Sequence, residues 1–433
     1  MLMLKTANRP RRRGARARIG LAVAGGGPVG CMYEMGALRA LDEAVDGLDL
    51  RALDVYVGIS SGAFLAAGLA NRFDTAELCR IFITGDSELA TFRPEDFLRP
   101  ALFEYLRRAA GVPRMLLGWL GDVARNPFDV RLADALLRLG SVLPTGLFDN
   151  AAIGRFLADL FATAGRSDDF RTLGRRLYVV AVDLDSGEAV RFGAPGRDDV
   201  PISLAIEASA ALPGLYPPVR IGDRYYVDGA LRRTLHASVA LDAGADLVIG
   251  VNPLVPIDTA RAAASGKRVP SLVEGGLPAV FSQTFRTLLQ SRAQAGASSY
   301  PLRYGSADLA LFEPDPDDVE MFFTNVFSFA QRRHLAEHAY QGTRRDLRAR
   351  RAEIAPLLAR HGLALRDEVL DDDARTLVSG LSRPPARTAA GRGLRDALDD
   401  LDAALQRPPR RASARRKPAR PARRDPPAPA RRR

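Results

Sequence analysis

Residues that build disulfide frameworks, metal sites and membrane spans are scarce in this chain. Its 433 residues include two cysteines, four histidines and one tryptophan. Cys31 and Cys79 stand far apart without a CxxC pair, which argues against a disulfide framework and makes a reducing compartment the default. No apolar run approaches the roughly 18 residues of a membrane span. We therefore expect no transmembrane segment and a location in the cytoplasm or at the periphery of a membrane.

Acidic residues are nearly absent from both ends of the chain. Residues 1–18 hold seven basic residues and no acidic one, and residues 407–433 hold twelve and one, so residues 19–406 carry a net charge of −7. Such arms can bind anionic lipid headgroups or nucleic-acid phosphates. Neither arm has aromatic residues for base stacking, so we expect peripheral contact with an anionic membrane and no nucleic-acid partner. Only three of the basic residues are lysine, so a GC-rich codon bias is an equally good explanation of the arginine clusters.

The Arg-rich start of the chain precedes a short apolar run, a pattern that resembles an export signal. The run is too short and too rich in glycine for the core of a signal peptide, and cleavage there would remove the first predicted strand. We expect residues 1–18 to form a basic disordered arm, with export as the open alternative.

Two glycine-rich turns follow two short apolar runs. Residues 19–30 read IGLAVAGGGPVG, and residues 53–62 read LDVYVGISSG; each leads into a segment with helical periodicity. Strand, loop and helix in this order, repeated, indicate a parallel sheet covered by helices. The predicted fold class is therefore α/β, a mainly parallel sheet sandwiched by helices, with a helical insertion over 85–150 and helical C-terminal additions that include long helices over 278–299 and 326–350.

The domain boundaries follow from composition. We expect one hydrolase-like domain over 19–375, in which the insertion at 85–150 is either a cap that can contact lipid or a helical hairpin packed on the sheet. From 376 to 433 the chain is rich in Arg and Pro and is predicted to be largely disordered. A leucine stripe in this tail predicts a short helix near 393–406.

The second turn, GISSG at residues 58–62, matches the pattern G-x-S-x-G. The chemistry needs the glycines because the serine sits on a sharp strand-to-helix turn, where a Cβ on either side would meet the crossing backbone. Ser60 would then project its Oγ above the N-terminus of the next helix, which favours developing negative charge. We predict Ser60 as a nucleophile supported by Gly58 and Gly62; the alternative is a chance match in a loop.

The first turn, GGGPVG, also fits the dinucleotide fingerprint G-x-G-x-x-G. That interpretation requires an acidic residue at the end of the second strand, where this chain has glycine and serine, so we disfavour it. Three consecutive glycines instead expose successive backbone N–H groups at the start of a helix. Such groups suit an oxyanion hole, formed by Gly25, Gly26 and Gly27 with Gly30 supporting the turn.

The general base is the remaining question. An α/β-hydrolase needs Ser, Asp and His in this order, and its serine turn normally follows several strands. Asp228, in the sequence YVDGA at the end of a predicted strand, offers a carboxylate base if it lies within hydrogen-bond reach of the serine Oγ. The alternative for Asp228 is an ordinary turn aspartate before Gly229.

The three motifs GGGPVG, GISSG and DGA, in this order and spacing, resemble the patatin-like phospholipase family. Residues 208–213, ASAALP, resemble the helix ending Ala-Ser-x-x-x-Pro of the same family, and the similarity covers roughly residues 19–255. The resemblance implies a dyad of Ser60 and Asp228 without histidine, with Gly229 in the turn, an oxyanion hole from the glycine loop, and no metal or cofactor. It also implies hydrolysis of lipid acyl esters of the phospholipase A or lysophospholipase type.

Two departures and two alternatives accompany the resemblance. Ala230 stands where the family commonly has a second glycine, and the Asn-x-Pro that often follows the dyad aspartate is absent.

His334 and His338 form the pattern H-x-x-E-H, but no third ligand is identifiable and the flanking sequence is a charged, solvated face, so we disfavour zinc. A catalytically weak lipid-binding module on the same scaffold stays open as an alternative function.

Overall fold

The computed structural model describes residues 1–7, 16–93, 95, 99–101, 145–297, 303–324, 329–381 and 397. The chain divides into two units, Met1–Gly380 and Leu381–Arg433. The fold described below is that of the first unit. Most of the predicted insertion (102–144) and the predicted tail helix near 393–406 lie outside the described residues, as does most of the predicted disordered tail.

Strands and helices alternate along most of the described chain. The strands are β1 Leu2–Lys5, β2 Ile19–Val23, β3 Val45–Asp46, β4 Val55–Gly58, β5 Arg176–Asp183, β6 Ala189–Phe192, β7 Val219–Ile221, β8 Arg224–Asp228, β9 Leu247–Val251, β10 Asp308–Phe312 and β11 Ala364–Leu365. The helices are α1 Gly27–Ala44, α2 Ser61–Ala70, α3 Thr75–Cys79, α4 Ala151–Phe161, α5 Ile202–Ser209, α6 Ala237–Asp242, α7 Thr259–Ala264, α8 Gly276–Ala297, α9 Val319–Phe323, α10 Phe329–Ala349, α11 Arg351–Ala359 and α12 Asp367–Leu370. The two long helices predicted near 278–299 and 326–350 are α8 and α10.

The main sheet is mixed and mostly parallel. Within the described residues its strand order is β1-β10-β9-β2-β4-β5-β8-β7, with β6 paired to β5. The five strands from β10 to β5 are parallel, whereas β1, β6, β7 and β8 add antiparallel edges. Every residue of β4 and β9 is buried, as expected for strands covered on both faces. The predicted fold class is confirmed, and the carboxyl ends of β2, β4 and β9 meet at one edge of the sheet, where open α/β sheets bind ligands.

The first strand corrects a prediction from the sequence. Leu2–Lys5, which we expected in a disordered arm over 1–18, form β1 and pair antiparallel with β10. Leu2 is buried, and the Arg350 guanidinium donates a hydrogen bond to its carbonyl oxygen. The apolar start LMLK pairs with the backbone groups at the open edge of β10. The arginine run that suggested a disordered arm begins after this segment. Residues 8–15 lie outside the described residues.

Helix α1 lies between the sheet and α10, and the contact of the two helices is close. A Cβ at Gly36 would lie 2.2 Å from the carbonyl oxygen of Ala336 in α10. Any larger residue at position 36 would clash with the backbone of α10. Gly36 therefore allows the short distance between the two helices. The C-terminal helices thereby support the helix that follows the glycine loop. None of the helices in the described part of the chain combines the length and hydropathy of a membrane span.

Candidate active site

Ser60 lies on a strained turn between β4 and α2. Its φ of 49° falls in the left-handed region, which a residue other than glycine adopts at a cost of order 1–3 kcal/mol. The neighbouring glycines make the turn possible, because a Cβ at Gly58 would lie 2.4 Å from the Cα of Ala63 and one at Gly62 would lie 2.2 Å from the carbonyl oxygen of Ala24. The turn packs against backbone on both sides, and this packing holds Ser60 in its strained conformation.

A hydrogen-bond relay from a distant helix fixes the same turn. The backbone N–H of Ser60 donates to Oγ of Ser209 at 2.9 Å, and that hydroxyl donates to the carbonyl oxygen of Val180 at 2.6 Å. Ser209 is the last residue of α5 and is fully buried. Sequence reasoning assigned no role to Ser209, although it lies within the ASAALP segment on which the family resemblance rests.

Asp228 reaches Ser60 across the sheet. It ends β8, which pairs with β5, and β5 pairs with β4 directly before the serine turn. Its Oδ1 accepts a hydrogen bond from the backbone N–H of Ala230 at 2.8 Å. Burial raises the pKa of Asp228 to about 6, against the lowering effect of the Ala230 amide and of the nearby Ser60 side chain. The fold therefore brings the two predicted catalytic side chains together, and both are at least nine-tenths buried.

The glycine loop lies against Ser60. A Cβ at Gly25 would lie 2.8 Å from the Cβ of Ser60, and a Cβ at Gly26 would lie 2.7 Å from Pro253 Cγ. Gly27 begins α1 with a φ of 60°, so its amide belongs to the first turn of an 18-residue helix. The first amides of a helix have no intrahelical acceptor and carry the positive end of the helix dipole. An anion beside the Ser60 Oγ would meet this group of donors.

Behind the nucleophile turn lies a buried carboxyl group that sequence reasoning missed. Glu34 in α1 is completely buried, and the Ser61 hydroxyl donates a hydrogen bond to its Oε1 at 3.5 Å. Burial raises the pKa of Glu34 well above its ordinary value, which favours the neutral form of the carboxyl group. The contact directs the Ser61 hydroxyl toward α1. One glutamate inside an otherwise amphipathic helix gives no sequence signal for this role.

One histidine lies near the candidate dyad, and others hydrogen-bond to carboxylates. His236 is buried, and burial lowers its pKa to about 3 against the raising effect of the Gly229 backbone, which keeps the imidazole neutral. His338 contacts Asp318 at 2.7 Å, and His334 contacts Glu320 at 3.0 Å. In the portion of the chain that the structure describes, no group of three or more His, Cys, Asp or Glu side chains could hold a metal ion. Both histidines of the H-x-x-E-H pattern therefore hydrogen-bond to carboxylates of the preceding segment.

The buried carboxylate of Asp228 should reduce stability at neutral pH. Its folded pKa of about 6 exceeds its ordinary value of 3.8, so the folded chain binds the proton more tightly than the unfolded chain and loses stability as pH rises through about 6. Asp228→Asn keeps an oxygen for the Ala230 amide and removes the charge. Urea unfolding should show this variant more stable than the wild type by about 2–3 kcal/mol at neutral pH, with the gain vanishing below about pH 4.

Asp308 provides the control of opposite sign. Burial opposes its ionisation, but hydrogen bonds from His361 and the Ala7 amide, together with Arg360, lower its pKa. Asp308→Asn should therefore reduce stability at neutral pH, and the loss should shrink as pH falls below the ordinary aspartate range. If Asp228→Asn also destabilises the fold at neutral pH, the buried charge of Asp228 does not cost the folded state the free energy that its raised pKa implies.

Comparisons with known proteins identify the family of the chain. The sequence profile described as patatin-like phospholipase matches residues 21–241, just over half of the chain. An uncharacterized NTE family protein of Mycobacterium tuberculosis and one of Mycobacterium bovis are each 28% identical over 233 residues, which cover 53% of this chain and 29% of the relative. The chain thus spans less than a third of the length of these curated relatives.

The solved structures that match this chain have low overall similarity to it. ExoU of Pseudomonas aeruginosa is 17% identical with a TM-score of 0.35, covering 94% of this chain and 64% of that chain. VipD of Legionella pneumophila is 15% identical with a TM-score of 0.34, covering 77% and 67%. The family assignment rests on the profile match, which includes the glycine loop, the serine turn and the aspartate turn. This chain belongs to the patatin-like phospholipase family.

Proposed function

We propose that the chain is a serine acyl-hydrolase that cleaves lipid acyl esters through a dyad of Ser60 and Asp228. The observation that supports this most is the proximity of the Ser60 side chain, on a strained turn, to the buried carboxyl group of Asp228. Membership of the patatin-like phospholipase family supports the lipid ester as the substrate class. We assign the catalytic domain to residues 19–375.

The proposed reaction has two half-reactions. The Ser60 Oγ attacks the ester carbonyl carbon while its proton passes to the Asp228 carboxylate. Collapse of the tetrahedral intermediate breaks the bond to the alcohol, which leaves with the proton from Asp228, and the acyl group stays on Oγ. Water then attacks the acyl carbon and gives a proton to Asp228. The second collapse releases the fatty acid and returns that proton to Ser60.

Burial of Asp228 makes it a stronger base than an exposed aspartate. A carboxylate with an ordinary pKa of 3.8 takes a proton from a serine hydroxyl poorly, whereas one with a pKa of about 6 is closer to neutral pH and still ionised there. The hydrogen bond from Ala230 holds one oxygen of the carboxylate in place. Asp228 therefore combines orientation with basicity and needs no histidine between it and the serine.

The glycine loop would stabilise the oxyanion of both tetrahedral intermediates. Gly25 lies against Ser60, and the amides that follow open the first turn of α1. Removing one donor of such a hole typically lowers the rate by about 100- to 1000-fold. The proposal assigns this role to the backbone of Gly25, Gly26 and Gly27, with Gly30 allowing the close contact with Pro253.

Kinetics of three serine and aspartate variants test the dyad. With a soluble short-chain acyl ester, Ser60→Ala should lose kcat by roughly 10⁴-fold or more, and Asp228→Asn by roughly 10³-fold, because each removes a group that acts on the reacting atoms. Ser61→Ala is the matched control, since its hydroxyl contacts Glu34 and should leave kcat within a few-fold. Full activity of Ser60→Ala in a folded protein would overturn Ser60 as the nucleophile, whereas a folded wild type without turnover would favour the lipid-binding module.

The pH dependence of kcat/KM tests the identity of the base. Only the ionised carboxylate of Asp228 can accept the proton, so kcat/KM should fall about tenfold per pH unit below a midpoint near its pKa of about 6. Initial rates on the soluble ester between about pH 4 and 8 give the profile. A profile without a break in this range would contradict a role for Asp228 as the base, and a break that persists in Asp228→Asn would assign it to another group.

A further inference from the structure

Helix α8 presents a row of apolar side chains to solvent. Leu277, Val280, Phe281 and Leu288 recur at helical spacing on one side, and their exposed fractions are 80%, 42%, 55% and 54%. Val273, in the turn before the helix, is 79% exposed. Single exposed apolar residues are ordinary, but a contiguous row of them marks an interaction surface.

The polar groups on this side are few and are satisfied within the helix. The 22 residues of α8 include no aspartate, glutamate or lysine. Thr284 and Thr287 donate their hydroxyl groups to the carbonyl oxygens of Val280 and Gln283, each at 2.8 Å. These threonines therefore need no water to satisfy their hydroxyls, and the surface can lose its water at small cost.

The inner side of α8 is firmly seated on the fold. Leu289 is buried in the core cluster beneath the sheet. The buried Arg286 donates to the carbonyl oxygens of Pro253 and Val255 at 3.2 and 3.1 Å, and Gln283 forms two hydrogen bonds with the backbone of Ile257. The apolar outer row is thus a feature of a fixed helix.

The helix is bound to loops on two sides of the candidate active site. Pro253, which accepts from Arg286, lies against Gly26 of the glycine loop. Arg292 donates to the carbonyl oxygen of Leu231 at 2.9 Å, and Leu231 ends the short 3-10 turn Gly229–Leu231 that follows Asp228. The apolar row therefore belongs to the element that joins the oxyanion side and the base side of the site.

We infer that the outer face of α8, formed by Leu277, Val280, Phe281 and Leu288, docks on an anionic lipid bilayer. The inference rests on the proposed function, since docking there would bring lipid esters to the site. An amphipathic helix of this kind inserts its apolar row at the boundary between headgroups and acyl chains.

Charge supports a bilayer over a second copy of the chain. Of the six basic residues in 259–303, Arg286 is buried and two form ion pairs with aspartates outside the segment, which leaves Arg261, Arg268 and Arg292 exposed against one acidic residue, Glu274. Anionic headgroups complement this local positive charge, whereas a second copy packed on the same face would place like charges together. The α8 surface differs from the basic arms at both ends of the chain, because its contribution to membrane binding is apolar. That contribution should therefore persist at high salt.

Vesicle sedimentation with the full chain tests the inference. The double variant Leu277→Glu/Phe281→Glu puts two acidic residues into the first turns of α8, where they favour the helix dipole and preserve the fold. With vesicles of phosphatidylcholine and phosphatidylglycerol at about 1 M salt, where charge interactions are screened within about 3 Å, its affinity should fall by at least about tenfold. Leu277→Met/Phe281→Leu should bind like the wild type.

Two controls separate this inference from the proposed function. Leu184→Glu alters an apolar residue of similar exposure, 51%, outside both α8 and the insertion at 85–150, and should leave vesicle binding unchanged. Turnover of the soluble ester should be equal in the wild type and the double variant. If the wild type binds vesicles but hydrolyses no ester, the inference about the α8 surface is supported and the proposed function is contradicted. Unchanged vesicle binding by the double variant overturns the inference, as does a wild-type dimer, seen by sedimentation velocity, that the double variant breaks.

Discussion

The backbone conformation of Ser60 is the constraint on which the rest of the site depends. A left-handed φ at a residue other than glycine persists only where surrounding structure holds it. Here the turn is enclosed by backbone that passes too close to Gly58 and Gly62 for any Cβ, and its amide is held by the relay from Ser209 to Val180. Elements separated by about 150 positions in the chain therefore meet at this turn, and the parallel order of the strands brings them there.

Burial has opposite effects on stability and on chemistry at the second member of the dyad. It raises the pKa of Asp228, which strengthens the proposed base and costs stability at neutral pH. Burial also favours the neutral forms of two neighbouring titratable groups, because it raises the pKa of Glu34 and lowers that of His236 to about 3.

The sequence predicted those features that depend on neighbouring residues. The glycine spacings in GGGPVG and GISSG reflect close backbone approach, and alternation of strands and helices predicted the parallel sheet. Ser209 and Glu34 escaped prediction because their hydrogen bonds to the serine turn depend on tertiary packing and leave no local pattern. Strand β1 escaped because four residues before an arginine run carry too little periodicity, although the open edge of β10 accepts them. Helix α8 was predicted as a helix, but its exposed row depends on what the fold leaves uncovered.

The most direct test of the Ser60 assignment is active-site labelling with a fluorophosphonate, mapped by mass spectrometry of the full chain. An activated serine beside an oxyanion hole forms a covalent phosphonyl adduct, which ordinary serines do not. We expect one label on Ser60, absent from Ser60→Ala and unchanged in Ser61→Ala. A folded protein whose Ser60 stays unlabelled, or which carries the label on Ser61, would contradict the assignment of Ser60 as the nucleophile.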